Sequence, residues 1–261
     1  MELLVCIKQV PDDSVTVTLD PATGGPQLKD ITPVVNAFDT YALEMATRFK
    51  EANGGSVTVL TIGDEAALTP SLRSCLSVGA DHAYVVTEPA AVSAPGKGYL
   101  LGQAAGKLAE GPFDVIFCGC ESTDTADGQV GVQLAEQLGL PVITNVLELE
   151  PKDGGISAKQ ETEEGYRVVE APCPCVVTVT KPAYEPRYPS IKSKMAARKM
   201  PIGTLTAAEM GTDGARAAAA PAKRVALCAP PQRQSGVKIQ EKEAAESVRR
   251  AMEMLAGQKL I

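Results

Sequence analysis

Two loops and one basic segment hold the residues of this chain whose types and spacing could do chemistry. The richest is CGCESTDTADGQVG (residues 118–131), a strand end that runs through small and polar residues into an amphipathic helix. A helix opening there leaves its first N–H groups unpaired and aimed at the loop, which favours a phosphate. Gly128 and Gly131 allow close approach of a ligand, Asp124 can accept from a hydroxyl, and Gln129 can both donate and accept. The same pattern also suits an ordinary loop with a capping Asp. A second candidate is Asn36-Ala37-Phe38-Asp39, just before the first long helix, where Asn36 or Asp39 could serve simply as the N-cap. Nucleophilic catalysis finds no support: His82 is the only histidine, so neither a Ser/His/Asp nor a Cys/His set can be assembled. Neither GxGxxG nor GxxxxGK[ST] is present.

The basic segment is KPAYEPRYPSIKSKMAARKMPI (181–202), in which Lys181, Arg187, Lys192, Lys194, Arg198 and Lys199 face a single acid, Glu185. It also carries Tyr184 and Tyr188, in a chain that is only 4% aromatic. Pro182, Pro186 and Pro189 oppose a helix at its start, and SIKSKMAARK can form one afterwards. The protein as a whole has a formal charge of -7. A basic loop on an acidic body suits an acidic protein partner, through faster and better oriented encounters, while the net charge argues against nucleic acid.

These segments need a scaffold, and the hydrophobic pattern supplies one. Strand candidates are LLVCIKQV (3–10), SVTVLTIG (56–63), AYVVTE (83–88), DVIFCG (114–119) and PVITNVLELE (141–150). Their nearly continuous hydrophobicity is that of strands buried on both faces. Between them run helical stripes: Ala42, Met45, Ala46 and Phe49, then Leu101, Ala104, Ala105 and Leu108, then Val130, Leu134, Ala135 and Leu138. The alternation predicts an α/β fold, a Rossmann-like parallel sheet with helices on both faces. Ligands of such sheets bind beyond the carboxyl ends of the strands, here residues 6–11, 62–64 and from Gly119 onward. An insertion after the first strand contains TGGP (23–26), a turn between two short strands, and ISAKQETEEGYRVVEA (156–171) reads as a hairpin at the sheet edge. GTDGARAAAAPA (211–222) has the composition of a linker, and AAESVRRAMEMLAGQ (244–258) is an amphipathic helix with Ala244, Val248, Ala251, Met252 and Leu255 on one face. The expected organisation is therefore a nucleotide-binding domain over 1–210 and a linker with a C-terminal arm over 211–261.

Seven cysteines, an odd and scattered count, do not form a secreted disulfide framework, and their CxC spacings do not match zinc sites. Met1-Glu2 leads straight into a strand-like run, and no apolar stretch approaches the ~20 residues of a membrane span. A cytoplasmic bacterial protein with no membrane span is expected.

KQVPD (8–12) with NAFDTYALEMA (36–46), then ADGQVG (126–131), then YEPRYPSIKSKMAARKMPI (184–202) with PPQRQSGVKI (230–239), in this order and spacing, resemble the β subunit of electron transfer flavoproteins. The resemblance implies an electron-carrier subunit without covalent catalysis, paired with an α subunit that holds a redox-active FAD. The β subunit would bury AMP or, in one group, a second FAD, with NADH as electron donor. Carried over by position, the nucleotide would touch Cys6, Asn36, Ala37, Phe38, Asp39, Ile62, Gly119, Glu121, Ser122, Thr123, Asp124, Thr125, Ala126, Asp127, Gly128, Gln129 and Val130. Ile191 would be the apolar anchor on an acyl-CoA dehydrogenase or similar flavin dehydrogenase, flanked by Glu185, Arg187, Tyr188, Lys192 and Lys194. KQVPD and Asp39 are similar to the anaerobe-type β subunits, some of which bifurcate electrons, and favour the second FAD. Ala37 departs from the family's Pro, and Asp127-Gly128 from the anaerobic Thr-Ala. A structural AMP-binding subunit, with all redox work in the α subunit, and an ATP-handling enzyme on the same fold are the alternatives.

Overall fold

Side chains of the first strand leave on both faces of the sheet, so each face needs a covering layer of helices. Leu3 and Val5 enter one apolar cluster, and Leu4 and Cys6 enter a second. The computed structural model describes residues 1–87, 93–108, 111–218, 225–231 and 235–261. In chain order the elements begin β1 (Glu2–Cys6), β2 (Gln9–Pro11), β3 (Pro33–Val35), α1 (Ala37–Asn53), β4 (Ser56–Ile62), α2 (Glu65–Ser77), β5 (His82–Thr87), α3 (Ala94–Leu108), β6 (Val115–Gly119) and α4 (Val130–Leu138). They continue with β7 (Val142–Lys152), β8 (Gly155–Thr162), β9 (Gly165–Pro172), β10 (Cys175–Val179), α5 (Ile191–Ala197), β11 (Gly203–Thr206), α6 (Ala207–Met210), α7 (Gly214–Ala217) and α8 (Ala244–Gly257).

Among the described residues the main sheet has nine strands in the order β11-β5-β4-β1-β6-β10-β7-β8-β9. Every neighbouring pair from β11 to β7 is parallel, and β8 and β9 add an antiparallel hairpin at the edge. Ala42, Met45, Leu72, Cys75 and Ala197 place α1, α2 and α5 on one face. Leu100, Leu134, Met210 and Ala217 place α3, α4, α6 and α7 on the other. The three helical stripes read from the sequence all face the sheet.

Two sequence expectations change. The apolar run 3–10 is not one strand: β1 stops at Cys6, the Lys8 N–H donates to the Asp39 carboxylate at 2.7 Å, and β2 leaves to pair with β3. The segment expected to be a linker starts inside the core layer. Met210 and Ala217 are buried, the Asp213 N–H donates to the Tyr99 hydroxyl at 2.8 Å, and Arg216 lies 4.4 Å over the Tyr99 ring. One compact unit accordingly comprises Met1–Val17 and Pro26–Val225, and a second comprises Thr18–Gly25 and Ala226–Ile261. In the second, Asp20 organises a turn by accepting from Ala22 and Gly24. There α8 carries Arg249 ion pairs to Glu246 and Glu253 and has no buried residue. Glu88, residues 219–222 of the expected linker and residues 232–234 of PPQRQSGVKI lie outside the described residues. No helix of the described residues is long and apolar enough to cross a membrane.

Candidate functional site

The carboxyl ends of β1, β4 and β6 open into a cavity of about 590 Å³, within the range of small-molecule sites. Of the residues expected to touch a nucleotide, Cys6, Asn36, Asp39, Ile62, Gly119, Glu121, Ser122, Thr125, Asp127, Gly128, Gln129 and Val130 line it. Ala37, Phe38, Thr123, Asp124 and Ala126 are not part of the lining. Sequence reasoning about strand ends reached Ile7, Lys8, Gln9, Gly63 and Asp64, which also line it. The loop 118–131 singled out from the sequence also brings in Cys118 and Cys120, whereas Thr61, Ala67, Leu68, Ala94, Lys97 and Leu101 were missed. A basic residue in the first turn of an amphipathic helix was the signal that could have singled out Lys97.

Hydrogen bonds between distant segments shape the wall. Asn36 stands at the N-cap position of α1 without capping it. Its amide instead donates to the Glu121 carbonyl at 2.8 Å and accepts from the Thr123 N–H at 3.0 Å. Asp39 accepts from the Lys8 N–H at 2.7 Å and the Gly119 N–H at 3.0 Å, one on each oxygen. Each carboxylate oxygen thus fastens one loop amide, while Asp39 also lines the cavity. Only glycine fits at 119, since a Cβ there would lie 2.4 Å from an Asp39 oxygen. Burial pushes the Asp39 carboxyl up to about 7, against the amide bonds that favour its ionised form.

Asp124, expected to accept from a ligand, instead accepts from the Lys8 ammonium at 2.6 Å. Burial works against its charge, but hydrogen bonds from Lys8 and Ser122 hold it below the ordinary carboxylate range. The Ser122 hydroxyl also accepts from Lys8, at 3.2 Å. Beyond the loop, the N-cap Gln129 gives α4 no side-chain cap, so the first-turn amides face the cavity side of the fold without that partner. Lys97 is half-buried in the lining; burial and the nearby charge of Lys8 push its pKa down, with Asp124 and Asp127 pulling the other way.

The thiols of Cys6 and Cys120 are not poised for nucleophilic work. The Cys118 thiol, burial and the Asp39 charge all push Cys6 well up, and burial with Glu121 pushes Cys120 to about 11. No group of His, Cys, Asp and Glu among the described residues could hold a metal ion.

The basic segment folds against α1. Glu44, only 3% exposed, accepts from the Arg187 Nε at 2.8 Å and the Arg48 Nε at 2.6 Å. Arg187 also reaches Glu51 at 2.5 Å and 2.9 Å, and Arg48 stacks 4.0 Å over the Tyr184 ring. Burial raises Glu44, yet the two arginines outweigh it and hold its carboxyl low. Glu185 accepts from the Tyr41 hydroxyl and lies 3.4 Å from the Lys181 ammonium. Arg187 therefore belongs to the loop's anchor, whereas Glu185 remains exposed beside Lys181. At the other end, Ser190 caps α5 through the Ser193 N–H, and Arg73 donates to the carbonyls of Ala197 and Met200. Between these fixings Tyr188, Ile191 and Met195 are 94%, 82% and 59% exposed. The neighbouring Lys192 and Lys194 are exposed and make no ion pair among the described residues.

Residues 30–210 match the family described as "Electron transfer flavoprotein domain". Over the full length of both chains, 36% of residues are identical to the electron transfer flavoprotein subunit beta of Megasphaera elsdenii. The subunit of that name from Thermoanaerobacterium thermosaccharolyticum is 37% identical over 82% of this chain and 81% of its own. Subunit CarD of the caffeyl-CoA reductase-Etf complex of Acetobacterium woodii is 36% identical, over 77% of each chain.

Proposed function

Because this chain belongs to the electron transfer flavoprotein family, we propose that it acts as the β subunit of a heterodimer and holds the adenine nucleotide end of a cofactor in the cavity at β1, β4 and β6. Electron transfer as part of a flavoprotein is the family's work; the flavin, when bound, supplies the redox chemistry. The chain's residues supply position. Asn36 and Asp39 lock the loops 119–123 and 6–8 against α1, and the uncapped start of α4 offers N–H groups to a phosphate. Ile7, Ile62 and Leu101 give the same cavity apolar surface for a ring. That combination, an apolar cavity with an uncapped helix start in its lining, is the observation that carries the reading.

The nucleotide is AMP or the AMP half of a second FAD. The KQVPD and Asn36–Asp39 residues favour the second FAD with NADH as donor, with each oxygen of Asp39 also accepting one loop amide. The α subunit that holds the redox-active FAD is the proposed partner of α8, whose Val248, Ala251, Met252 and Leu255 form an apolar face with no buried member. The ridge Tyr188–Ile191–Met195 is the proposed contact for a client flavin dehydrogenase, and the CarD relative points to one acting on CoA esters.

The test is to co-express the chain with its α subunit, denature the purified heterodimer and quantify its nucleotides. AMP beside a single FAD fits the carrier with a static nucleotide. Two FAD with NADH reactivity fits the bifurcating form. A single FAD with no further nucleotide would remove the proposed role of the cavity.

A further inference from the structure

We infer that Lys97 grips the phosphate of the nucleotide in the cavity and makes the site selective for a nucleotide over its unphosphorylated nucleoside. The inference rests on the nucleotide reading of the cavity and adds a residue that the family motifs did not single out.

Two lysines line the cavity, and only one is matched. Lys8 donates to Asp124 at 2.6 Å and to Ser122 at 3.2 Å. Lys97 is half-buried, and its ammonium has no ion pair and no hydrogen bond among the described residues. A cation that has lost part of its hydration without gaining a partner is at a disadvantage, and an entering anion removes that disadvantage. The shift of Lys97 towards neutrality, from burial first and from Lys8 second, is the electrostatic form of the same deficit.

The packing of α3 places this ammonium usefully. At Gly98 a Cβ would lie 2.8 Å from the Gln133 Cβ and 3.0 Å from the Leu134 N, so the helices touch backbone to backbone one residue from Lys97. Lys97 thereby stands beside the first turn of α4, with Gln129 and Val130 in the same lining. A phosphate has enough oxygens to accept from an ammonium and from backbone N–H groups together. Asp64 and Glu121 elsewhere in the lining repel an anion, while Asp127, near enough to act on Lys97, offsets part of that ammonium's attraction. The phosphate end of a ligand is therefore directed to Lys97, and this fixes which way round the ligand lies.

The experiment uses the heterodimer stripped of nucleotide, with AMP and adenosine titrated calorimetrically into wild type, Lys97→Met and Lys97→Arg. FAD and riboflavin form a second pair. Lys97→Met should weaken AMP and FAD by about 10- to 100-fold, the loss of a charge-assisted hydrogen bond, and leave adenosine and riboflavin within about twofold. Lys97→Arg should recover most of the loss, and added salt should weaken AMP binding more in wild type than in Lys97→Met. Unchanged AMP and FAD binding in Lys97→Met, or parallel weakening of AMP and adenosine, would overturn the role of Lys97. Failure of the stripped wild type to bind either AMP or FAD would overturn the nucleotide reading itself.

Discussion

In the cavity wall, Asn36, Asp39, Lys8 and Asp124 spend their polar atoms on backbone groups and on one another. At the docking loop, Glu44, Glu51, Arg187, Arg48 and Tyr184 do the same. The two regions differ in what is left over. In the cavity the remainder is polar: a half-buried ammonium and an uncapped helix start. On α5 and the turn before it the remainder is apolar and exposed: Tyr188, Ile191 and Met195, flanked by lysines. A polar remainder inside a concave wall suits a small anion, and a projecting apolar ridge with charged flanks suits a protein surface. In both regions the motif's charged residues build the platform, and less conspicuous neighbours are left to meet the partner.

The largest expected effect lies in the docking anchor. Arg187→Ala leaves the carboxylate of Glu44 buried with only Arg48 for a partner, and removal of one member of a buried pair costs roughly 3–5 kcal/mol. Denaturant unfolding should show the loss, and client reduction should fall with it. Retention of full stability would show that the anchor is not holding the loop.

Next comes Asp39→Asn in the cavity wall. An Asn sets an NH2 group against one of two backbone donors, which should cost about 1–3 kcal/mol. The pH dependence has a definite sign. Burial raises the folded Asp39 carboxyl from the ordinary 3.8 to about 7, so the folded state keeps a proton that the unfolded chain has released. The stability that this proton linkage contributes is full below about 4 and is lost as the pH climbs through about 7. The advantage of wild type over Asp39→Asn should therefore shrink across that window, and paired thermal melts at several pH values check it. An advantage that grows with pH would reverse the assignment.

Smaller and more selective effects belong to the ridge. Ile191→Ala, Tyr188→Ala and Met195→Ala should leave stability within about 0.5 kcal/mol, because these side chains touch little of their own chain. Client binding should fall by about 1–2 kcal/mol for the strongest anchor, mainly through faster dissociation. Lys192→Glu and Lys194→Glu should slow association instead, with an effect that fades as salt rises. Equal client reduction by wild type and all three alanine variants at limiting concentration would move the docking site elsewhere. Asp124→Ala should give the smallest change, since its pair with Lys8 is partly exposed and worth about 0–1 kcal/mol.

The layers of this fold were legible because their signal is local. Ala42, Met45, Ala46 and Phe49 announce the buried face of α1 by spacing alone, and the strand runs announce their own burial. The break after Cys6 was not legible, since Asp39, 31 residues from Lys8, takes the amide that would continue the strand. Asn36 looked like a cap because capping is what its type and position do locally; its partners at Glu121 and Thr123 exist only in the folded sheet. The segment 211–218 has a linker's composition, yet small alanines also suit close packing on α3. Arg187 resembled a docking charge for the same reason, because Glu44 lies 143 residues away in the chain.

Hydrogen–deuterium exchange on the stripped heterodimer tests the division between the two regions most directly, with nucleotide added in one arm and the client dehydrogenase in the other. The account predicts that nucleotide slows exchange at residues 119–132 and leaves 188–197 unchanged, whereas the client slows 188–197 and leaves 119–132 unchanged. Protection of the α5 segment by nucleotide, with none at the start of α4, would contradict it.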